Sequence, residues 1–272
     1  MQPDLRAALN DAARALEPVS DTPRLDAELL MAHALGVTRD AMLLGGLSRA
    51  VPDGFADLLE RRLAHEPVAY IVGSRDFWTI TLEVGPGCLV PRADSETLIE
   101  AAAAHFAGRA PETVLDLGTG PGTLLLAALD QWPEATGLGV ERSATALAYA
   151  RGNAARIAPG RAEMRAGDWA SGIGQRFDLI LANPPYIEAD TVLAQEVAGH
   201  EPGDALFAGE DGLDAYRAII PDLPRLLRPG GAAVLEIGYR QQVAVTALLE
   251  AQMLHVTCRH DLAGHPRALI AV

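Results

Sequence analysis

The sequence predicts an α/β fold, in which a parallel sheet covered by helices on both faces follows a small bundle of helices. From residue 111 onward, short apolar segments alternate with helical ones, a pattern typical of such a sheet. One apolar segment, ending at Leu117, runs into a glycine-rich turn of the kind found where these sheets bind ligands. Before residue 77, apolar residues recur instead at helical spacing.

Residues 1–76 are predicted to form the helical bundle. Its helices are expected at residues 2–16, 24–35, 39–44 and 52–64. The buried stripes are expected to consist of Leu5, Leu9 and Leu16 in the first helix and of Leu25, Leu29, Ala32 and Leu35 in the second. The bundle either supports the neighbouring domain by packing or docks a protein substrate.

Residues 77–92 are predicted to form a β-hairpin linker, because residues 77–84 alternate in polarity and Gly85-Pro86-Gly87 signals a turn. Residues 93–272 then carry the sheet. Its strands are expected around Val114, Leu138, Met164 and Leu179 and at 232–237, followed by a helix at 241–251 and a hairpin of 255–259 with 268–272.

Asn183-Pro184-Pro185-Tyr186 follows the buried-strand pattern at 177–182, so it lies where an α/β sheet presents its chemistry. The Asn183 side-chain oxygen and the Pro184 carbonyl could accept both hydrogens of a planar NH2 group and aim its nitrogen at an electrophile. Pro184 and Pro185 stiffen the backbone, and Tyr186 offers a flat face for packing. This motif indicates methyl transfer to a planar nitrogen. The alternative is an ordinary turn that ends the strand.

A glycine-rich turn, Gly118-Thr119-Gly120-Pro121-Gly122, follows the strand at 114–117 and precedes a helical segment. Glycines let a ligand approach the backbone closely, so the turn predicts a nucleotide-type cofactor. Thr123 stands where the dinucleotide fingerprint requires a small residue, which disfavours NAD. Glu141 ends the next strand, where its carboxylate could accept both hydroxyls of a ribose. Alternatively, it favours the start of the following helix.

The composition excludes several classes of function. The 272 residues carry a net charge of −14 and every basic side chain other than histidine is an arginine, so there is no catalytic or Schiff-base lysine. The acidic charge also speaks against tight nonspecific binding to nucleic acid. No apolar run is long enough to span a membrane and the N-terminus does not resemble a signal peptide, so a cytoplasmic protein is expected. Cys88 and Cys258 are expected to be reduced thiols.

Other clusters of polar residues carry less weight. The histidines within residues 255–265 recur every five residues, a spacing that does not bring them to one face, so no metal site is expected. Glu201 and the other acids of residues 201–211 form either a catalytic carboxylate pair or a solvated loop and helix start. Glu236 ends an apolar strand, and a buried, hydrogen-bonded role is expected for it.

Several motifs, taken in order, resemble those of one family. They are LVPRADSETLIE, DLGTGPG, VERSATALAYARGNA, FDLILANPPYI, HEPGDALFAGEDGLDAYR and LRPGGAAVLEIGYRQ. This combination resembles the HemK-type release factor glutamine methyltransferases from about Arg61 to the C-terminus. NPPY alone is shared with amino-DNA methyltransferases, whereas the first and fifth motifs select the protein-modifying family. The resemblance implies a Rossmann-like class I methyltransferase sheet, mostly parallel with an antiparallel last strand, and S-adenosyl-L-methionine as the methyl donor.

The resemblance also implies roles for individual residues. Gly118, Thr119, Gly120, Pro121 and Gly122 would form the S-adenosyl-L-methionine loop. Glu141 would bind the ribose, and Trp169 would lie on the adenine side. Asn183, Pro184, Pro185 and Tyr186 would clamp the acceptor glutamine, with Asn183 also beside the cofactor. Pro121 and Glu141 depart from the family pattern, which usually has Ser and often Asp there. Pro121 removes one backbone donor, whereas the longer Glu141 should still reach the ribose.

The function implied by the resemblance is methylation of the side-chain amide nitrogen of the glutamine in the Gly-Gly-Gln motif of bacterial class-one peptide chain release factors. The helical bundle would then dock the release factor. We expect a monomer that binds neither nucleic acid nor a membrane directly. Two alternatives remain open: a glutamine methyltransferase of a ribosomal protein, and a methyltransferase of amino groups in DNA or RNA.

Overall fold

The computed structural model describes residues 4–45, 47 and 50–272. The chain forms two compact units. The first contains the residues up to Ser74 together with Leu193–Glu201, and the second contains Arg75–Val192 and Pro202–Val272. The first unit therefore includes a short segment that follows the NPPY motif in sequence.

The first unit is built from helices. The helices before residue 74 are α1 (Leu5–Leu16), α2 (Pro23–Ala34), α3 (Arg39–Leu44), α4 (Phe55–Leu63) and α5 (Val68–Val72). The four predicted helices are confirmed, although α4 begins three residues later than expected and α5 was not predicted. Residues 2 and 3 of the predicted first helix lie outside the described residues. The α1 stripe of Leu5, Leu9 and Leu16 is buried, as predicted.

Helix α2 buries acidic side chains as well as apolar ones. Its buried residues are Asp26, Ala27, Glu28, Leu30, Met31 and Ala32. The predicted stripe is therefore wrong at Leu25, which is 39% exposed, whereas Ala32 is buried as predicted. Asp26 pairs with Arg62 at 2.8 Å, and Glu28 pairs with two further arginines at 2.6 and 2.7 Å. These ion pairs, which apolar periodicity does not reveal, neutralise the two acids on the buried face of α2.

A two-stranded hairpin precedes the main sheet. Its strands are β1 (Ser74–Phe77) and β2 (Ile80–Glu83), and they are joined by Trp78 and Thr79. The hairpin lies earlier than the predicted linker at 77–92, and its turn is not at Gly85. Residues 85–88 do form a turn, closed by a hydrogen bond from the Cys88 N–H to the Gly85 carbonyl at 3.3 Å, but this turn follows β2. A Cβ at Gly85 would also collide with the hydroxyl of Tyr149.

The second unit carries the main sheet. After the hairpin, the elements are α6 (Glu96–His105), β3 (Thr113–Leu117), α7 (Thr123–Gln131), β4 (Thr136–Glu141), α8 (Ala144–Ile157), β5 (Ala162–Ala166), β6 (Phe177–Ala182), α9 (Gln195–His200, in the first unit), α10 (Asp214–Ile219), α11 (Leu223–Leu226), β7 (Leu227–Glu236), α12 (Gln242–Glu250), β8 (Val256–His260) and β9 (Pro266–Ala271). The seven strands lie in the order β5-β4-β3-β6-β7-β9-β8. The strands β3 to β7 pair in parallel, and β9 is antiparallel to both β7 and β8. The predicted parallel sheet, antiparallel last strand and C-terminal hairpin are confirmed.

The strand register brings the ends of the parallel strands together. Leu117 at the end of β3 pairs with Val140 of β4 on one side and with Ala182 of β6 on the other. Ala182 in turn pairs with Leu235 of β7. The residues that follow these positions therefore emerge side by side at one edge of the sheet.

Two expectations from composition concern thiols and membranes. Cys88 and Cys258 are both free thiols, as predicted, the first buried and the second half-buried. Within the described part of the chain, every helix is too short or too polar to cross a membrane.

Candidate active site

A cavity of about 700 Å³ opens at the carboxyl edge of the main sheet. The loops after β3, β4 and β6 line it, which is where open α/β sheets bind ligands. Of the residues predicted to form the site, those that line the cavity are Gly118, Thr119, Gly120, Pro121, Glu141, Trp169, Asn183 and Pro185. Gly122, Pro184 and Tyr186 are not among the described residues of the lining. The glycine-rich turn and the NPPY motif thus meet at one cavity.

Trp169 packs against Gly118 in the cavity wall. Both residues have positive φ, +45° for Trp169 and +74° for Gly118. A Cβ at position 118 would lie 3.0 Å from the indole ring, so glycine is needed both for the backbone conformation and for the close approach. The half-buried indole provides a flat apolar surface on which a ring such as adenine could pack.

Glu141 fills one of the two roles that the sequence left open for its position, at the start of α8, and remains available for the other. Its Oε1 accepts a hydrogen bond from the Ser143 backbone at 2.7 Å, at the start of α8, and its Oε2 accepts one from Gly120 at 2.9 Å. Each carboxylate oxygen has two acceptor sites, so both oxygens retain a lone pair for a ligand hydroxyl. The carboxylate is therefore placed to bind a ribose while it holds the glycine-rich turn.

Asn153 of α8 fixes the same turn from the other side, and the sequence analysis missed it. Its side chain is fully buried, and Nδ2 donates to the Pro121 carbonyl at 2.9 Å. The same amide group exchanges hydrogen bonds with the backbone of Glu83, at 2.8 and 3.0 Å. The turn is thus held through the Pro121 carbonyl, although Pro121 has no N–H. A lone Asn within an alanine-rich helix was the only sequence signal.

Asp116, another residue missed from sequence, lies beneath the glycine-rich turn. It is 1% exposed, and its Oδ2 accepts hydrogen bonds from the Thr119 hydroxyl at 2.6 Å and the Leu125 backbone at 3.1 Å. None of the described residues donates to its buried Oδ1, and burial raises the pKa of Asp116 to about 7. Asp116 also lines the cavity. An acid near the end of an apolar strand, directly before the turn, was the available signal.

The cavity fits S-adenosyl-L-methionine. A buried carboxylate oxygen without a partner suits a ligand that brings a positive charge or a hydrogen-bond donor, and Asp116 Oδ1 is such an atom. The glycine-rich turn admits a close ligand, Glu141 can accept from ribose hydroxyls, and Trp169 offers a surface for the base. These features correspond to the charged amino acid end, the sugar and the adenine of the cofactor.

Asn183 is held in one orientation at the cavity wall. It follows β6 directly, and its Nδ2 donates to the hydroxyl of Ser95 at 3.1 Å. Ser95, which precedes α6, is 2% exposed and also lines the cavity. This bond turns the other amide atom, Oδ1, away from Ser95. Oδ1 is therefore the atom of the Asn183 side chain that is left to accept a hydrogen bond from a ligand.

Tyr186 binds a carboxylate through its hydroxyl group. The hydroxyl donates to Oε1 of Glu236, at the end of β7, at 3.2 Å. The Tyr186 backbone is held as well, because its carbonyl accepts from Gln241 at 2.9 Å. Burial and the neighbouring Glu236 carboxylate raise the pKa of Tyr186, so its hydroxyl remains a donor. Glu236 is 1% exposed and is hydrogen bonded, as expected.

The acids of residues 201–211 do not form a catalytic pair. Asp204 lines the cavity but pairs with Arg142 at 3.3 Å, and Asp211 pairs with Arg217 at 2.6 Å. Glu201 belongs to the first unit. Among the described residues, no three His, Cys, Asp or Glu side chains are grouped so that they could hold a metal ion.

Known proteins are similar in sequence to this chain over almost its whole length. The chain is 42% identical over 260 residues to the release factor glutamine methyltransferase of Caulobacter vibrioides, with 93% of this chain and 90% of that protein covered. This chain belongs to the release factor glutamine methyltransferase family. The family member of Cereibacter sphaeroides is 43% identical over 281 residues and is matched over 98% of both chains.

Family models match two separate segments of the chain, and a solved structure is similar in fold. Residues 7–73 match the PrmC N-terminal domain, and residues 93–199 match the methyltransferase small domain. A crystal structure of the ribosomal protein L11 methylase from Lactobacillus delbrueckii subsp. bulgaricus is similar with a TM-score of 0.50 and 21% identity. The match covers 70% of this chain and 84% of that protein's chain. At this identity the likeness shows the methyltransferase fold alone.

Proposed function

We propose that this protein transfers the methyl group of S-adenosyl-L-methionine to the side-chain amide nitrogen of the glutamine in the Gly-Gly-Gln motif of bacterial class-one release factors. The proposal rests on the orientation of Asn183 in the cavity wall. Because its Nδ2 is bound to Ser95, Oδ1 is the acceptor that Asn183 offers to a substrate NH2 group. The release factor as substrate is supported by the names of the relatives in Caulobacter and Cereibacter.

The acceptor nitrogen of glutamine is a poor nucleophile, because its lone pair is delocalised into the amide. Asn183 Oδ1 and the Pro184 carbonyl would accept its two hydrogens, which aims the nitrogen and favours its pyramidal, attacking form. When bound, S-adenosyl-L-methionine supplies an electrophilic methyl group on a positively charged sulfur. The site then requires no strong general base, since the nitrogen becomes acidic as it is alkylated and can lose its proton afterwards.

The remaining residues of the cavity bind and orient the cofactor in this proposal. Gly118 and the turn that follows it approach the ligand closely, and Glu141 accepts from the ribose hydroxyls. Trp169 packs on the adenine, and Asp116 Oδ1 accepts a hydrogen bond from the positively charged amino acid end. Asp116 and Glu141 also place negative charge around a cationic ligand, which favours its binding.

The first unit docks the release factor in this proposal. It matches the PrmC N-terminal domain over residues 7–73, and none of its described residues lines the cavity. The unit also includes Leu193–Glu201, which follows the NPPY motif in sequence. The residues proposed to dock the substrate are therefore different from those that line the cavity. The chain connects the two sets through the segment that follows the NPPY motif.

The rival substrates fit the chain less well. A net charge of −14 is unfavourable for binding nucleic acid, whose affinity for proteins depends on neutralised phosphates. A ribosomal protein would undergo the same chemistry, but the relatives in Caulobacter and Cereibacter are named for release factors, which favours the release factor. We expect a monomeric enzyme, because one unit of one chain supplies the described lining of the cavity. Protein synthesis takes place in the cytoplasm, so the proposed reaction puts the enzyme there.

Methyl transfer from labelled S-adenosyl-L-methionine separates these possibilities. The enzyme is incubated with purified release factor, ribosomal proteins or nucleic acid, and the labelled species is identified. We expect label only in the release factor, and its loss when the Gly-Gly-Gln glutamine is replaced by glutamate. Label in a ribosomal protein or in nucleic acid, with none in the release factor, would refute the proposal.

A further inference from the structure

One buried carboxylate, that of Glu236, is linked to both ends of the NPPY motif, directly to Tyr186 and through Ser95 to Asn183. Its Oε1 accepts from the Tyr186 hydroxyl at 3.2 Å, and the Ser95 hydroxyl lies close enough to the carboxyl group to favour its ionised form. Ser95 in turn accepts from Nδ2 of Asn183 at 3.1 Å. The four side chains thus form a chain of contacts from Asn183 through Ser95 and Glu236 to Tyr186.

The donor and acceptor capacities of these groups set the direction of the chain. An ionised carboxylate can only accept hydrogen bonds, so the single hydrogen of the Ser95 hydroxyl must point at Glu236. The Ser95 oxygen then has only lone pairs left for Asn183, and it can receive Nδ2 but cannot donate to Oδ1. The charge on Glu236 thereby determines which atom of the Asn183 amide faces the substrate.

We infer that Glu236 is a positioning residue for methyl transfer, which acts through Ser95 to orient the Asn183 amide and directly to hold the Tyr186 ring. This inference rests on the proposed function, because it takes Asn183 as the acceptor of the substrate hydrogens. Glu236 Oε2 is buried and has no hydrogen-bond partner among the described residues, an arrangement that is unfavourable for a residue with only a structural role.

The groups around Glu236 give this arrangement a pH dependence. Arg267 favours the ionised form and Asp94 opposes it, and Arg267 is itself paired with Asp94 and Asp261 at 3.2 and 3.1 Å. The Tyr186 hydroxyl donates to the carboxyl group, the Ser95 hydroxyl lies close to it, and Tyr216 donates to the main-chain carbonyl of Glu236 at 2.8 Å.

Burial raises the pKa of Glu236 to about 7 despite the opposing effects of Ser95, Arg267 and Tyr186. The protonated acid would donate a hydrogen to Ser95, which could then donate to Asn183 Oδ1 and turn the amide around. The turnover number at saturating cofactor should therefore rise as the pH increases through about 7.

Glu236→Gln tests the inference, because it keeps the shape of the side chain but introduces an NH2 group that must donate. We expect kcat to fall about tenfold or more, since the acceptor loses its aim. KM for the release factor should change little, and the pH dependence of kcat should be lost. Ser95→Ala should cause a similar loss, and the double variant should be no worse than either single one, because both changes break one pathway.

Tyr216→Phe is the matched control. It removes a buried hydrogen bond to the same residue, but the bond goes to the main-chain carbonyl and leaves the carboxylate untouched. This variant should lose stability and retain kcat and its pH profile. Equal losses of kcat in Tyr216→Phe and Glu236→Gln, or wild-type kcat in Glu236→Gln, would overturn the positioning role.

The side-chain amide resonance of Asn183 provides a readout that does not require activity. In ¹⁵N-labelled enzyme with cofactor bound, it is assigned by its absence in Asn183→Ala. We expect it to titrate near pH 7 in the wild type and to be shifted and insensitive to pH in Glu236→Gln. A resonance unaffected by Glu236→Gln would refute the inference. If the resonance behaves as expected but the wild type does not methylate a release factor, the proposed function fails and the contact chain stands.

Discussion

Glu141 joins the glycine-rich turn to helix α8, because its Oε2 accepts from the Gly120 backbone at 2.9 Å while its Oε1 accepts from Ser143 at 2.7 Å. One side chain at the end of β4 thus holds two segments of the cavity wall. The lone pairs that remain on the same oxygens are those proposed to accept from the ribose. The shape of the cavity and the affinity for the cofactor therefore depend on one carboxylate.

Glu141→Ala should weaken binding of S-adenosyl-L-methionine about ten- to hundredfold, because charge-assisted hydrogen bonds worth about 1.5–3 kcal/mol are lost. Isothermal titration calorimetry measures the affinity. Glu163→Ala is a suitable control, since Glu163 is an exposed acid on β5 that pairs with Arg165 and does not line the cavity. Unchanged affinity in Glu141→Ala would remove the ribose assignment.

Asn183→Ala should abolish most of the catalysis and leave the cofactor largely bound. The substrate NH2 group loses an acceptor and is free to turn, so the rate should fall more than about a hundredfold. Single-turnover methylation of release factor measures this rate, and calorimetry checks that the cofactor still binds. If the rate stays near the wild-type value, the NPPY motif here is only a turn.

Asn183→Asp separates the two properties of the Asn183 side chain. It keeps an acceptor of nearly the same shape but adds a negative charge beside a cationic sulfonium. That charge should stabilise the ground state more than the charge-dispersed transition state. We expect single-turnover rates well below the wild type, with cofactor affinity equal to or tighter than normal. Rates close to the wild type would show that charge at this position is unimportant.

The fold was accessible from sequence because its signals are local. Strand periods, the glycine-rich turn and NPPY each occupy a few consecutive residues, and the rule that ligands bind at the carboxyl ends of parallel strands places the two motifs together. The burial of Asp26 in α2 was not accessible, because its partner Arg62 lies 36 positions away in the sequence. The position of the hairpin was misjudged because the turn that begins at Gly85 follows β2 and does not join the two strands.

The site residues that were predicted belong to short sequence motifs. The residues that were missed hold these motifs in place from distant positions in the chain. Ser95 lies 88 residues from its partner Asn183, and Asn153 lies 32 residues from its partner Pro121. Such contacts depend on tertiary packing and leave no periodic trace in one sequence. Asp116 differs from these residues, because the sequence does show that it lies next to the glycine-rich turn. The sequence does not show that one of its carboxylate oxygens is buried without a partner among the described residues.

Arg62→Ala should destabilise the first unit and spare the cofactor site. Arg62 is 3% exposed and pairs with Asp26 and Glu196, each at 2.8 Å. Removing one partner from a buried ion pair costs about 3–5 kcal/mol, because the remaining charge stays buried. Hydrogen exchange should show faster exchange in α2 and α4, and release factor methylation should fall while cofactor affinity is retained.

Arg14→Ala is the surface counterpart of this change, since Arg14 and Asp11 are 73% and 72% exposed. Exposed pairs of this kind contribute about 0–1 kcal/mol, so neither exchange nor methylation should change measurably. A loss of cofactor affinity in Arg62→Ala would contradict the separation of docking from chemistry. If methylation of the release factor stays at the wild-type level although exchange in α2 and α4 is faster, the first unit only supports the second unit by packing.

Without cofactor, the protein should become less stable as the pH rises from about 4 to about 8, in part because of Asp116. Burial raises the pKa of Asp116 to about 7, so the folded protein keeps a proton that the unfolded chain has released above about pH 4. The stabilisation is complete below that pH and is lost as the pH rises through 7. Asp116→Asn should flatten this dependence of Tm, raise Tm at pH 8 and weaken cofactor binding at least about tenfold. A Tm at pH 8 below that of the wild type would refute this account of the buried acid.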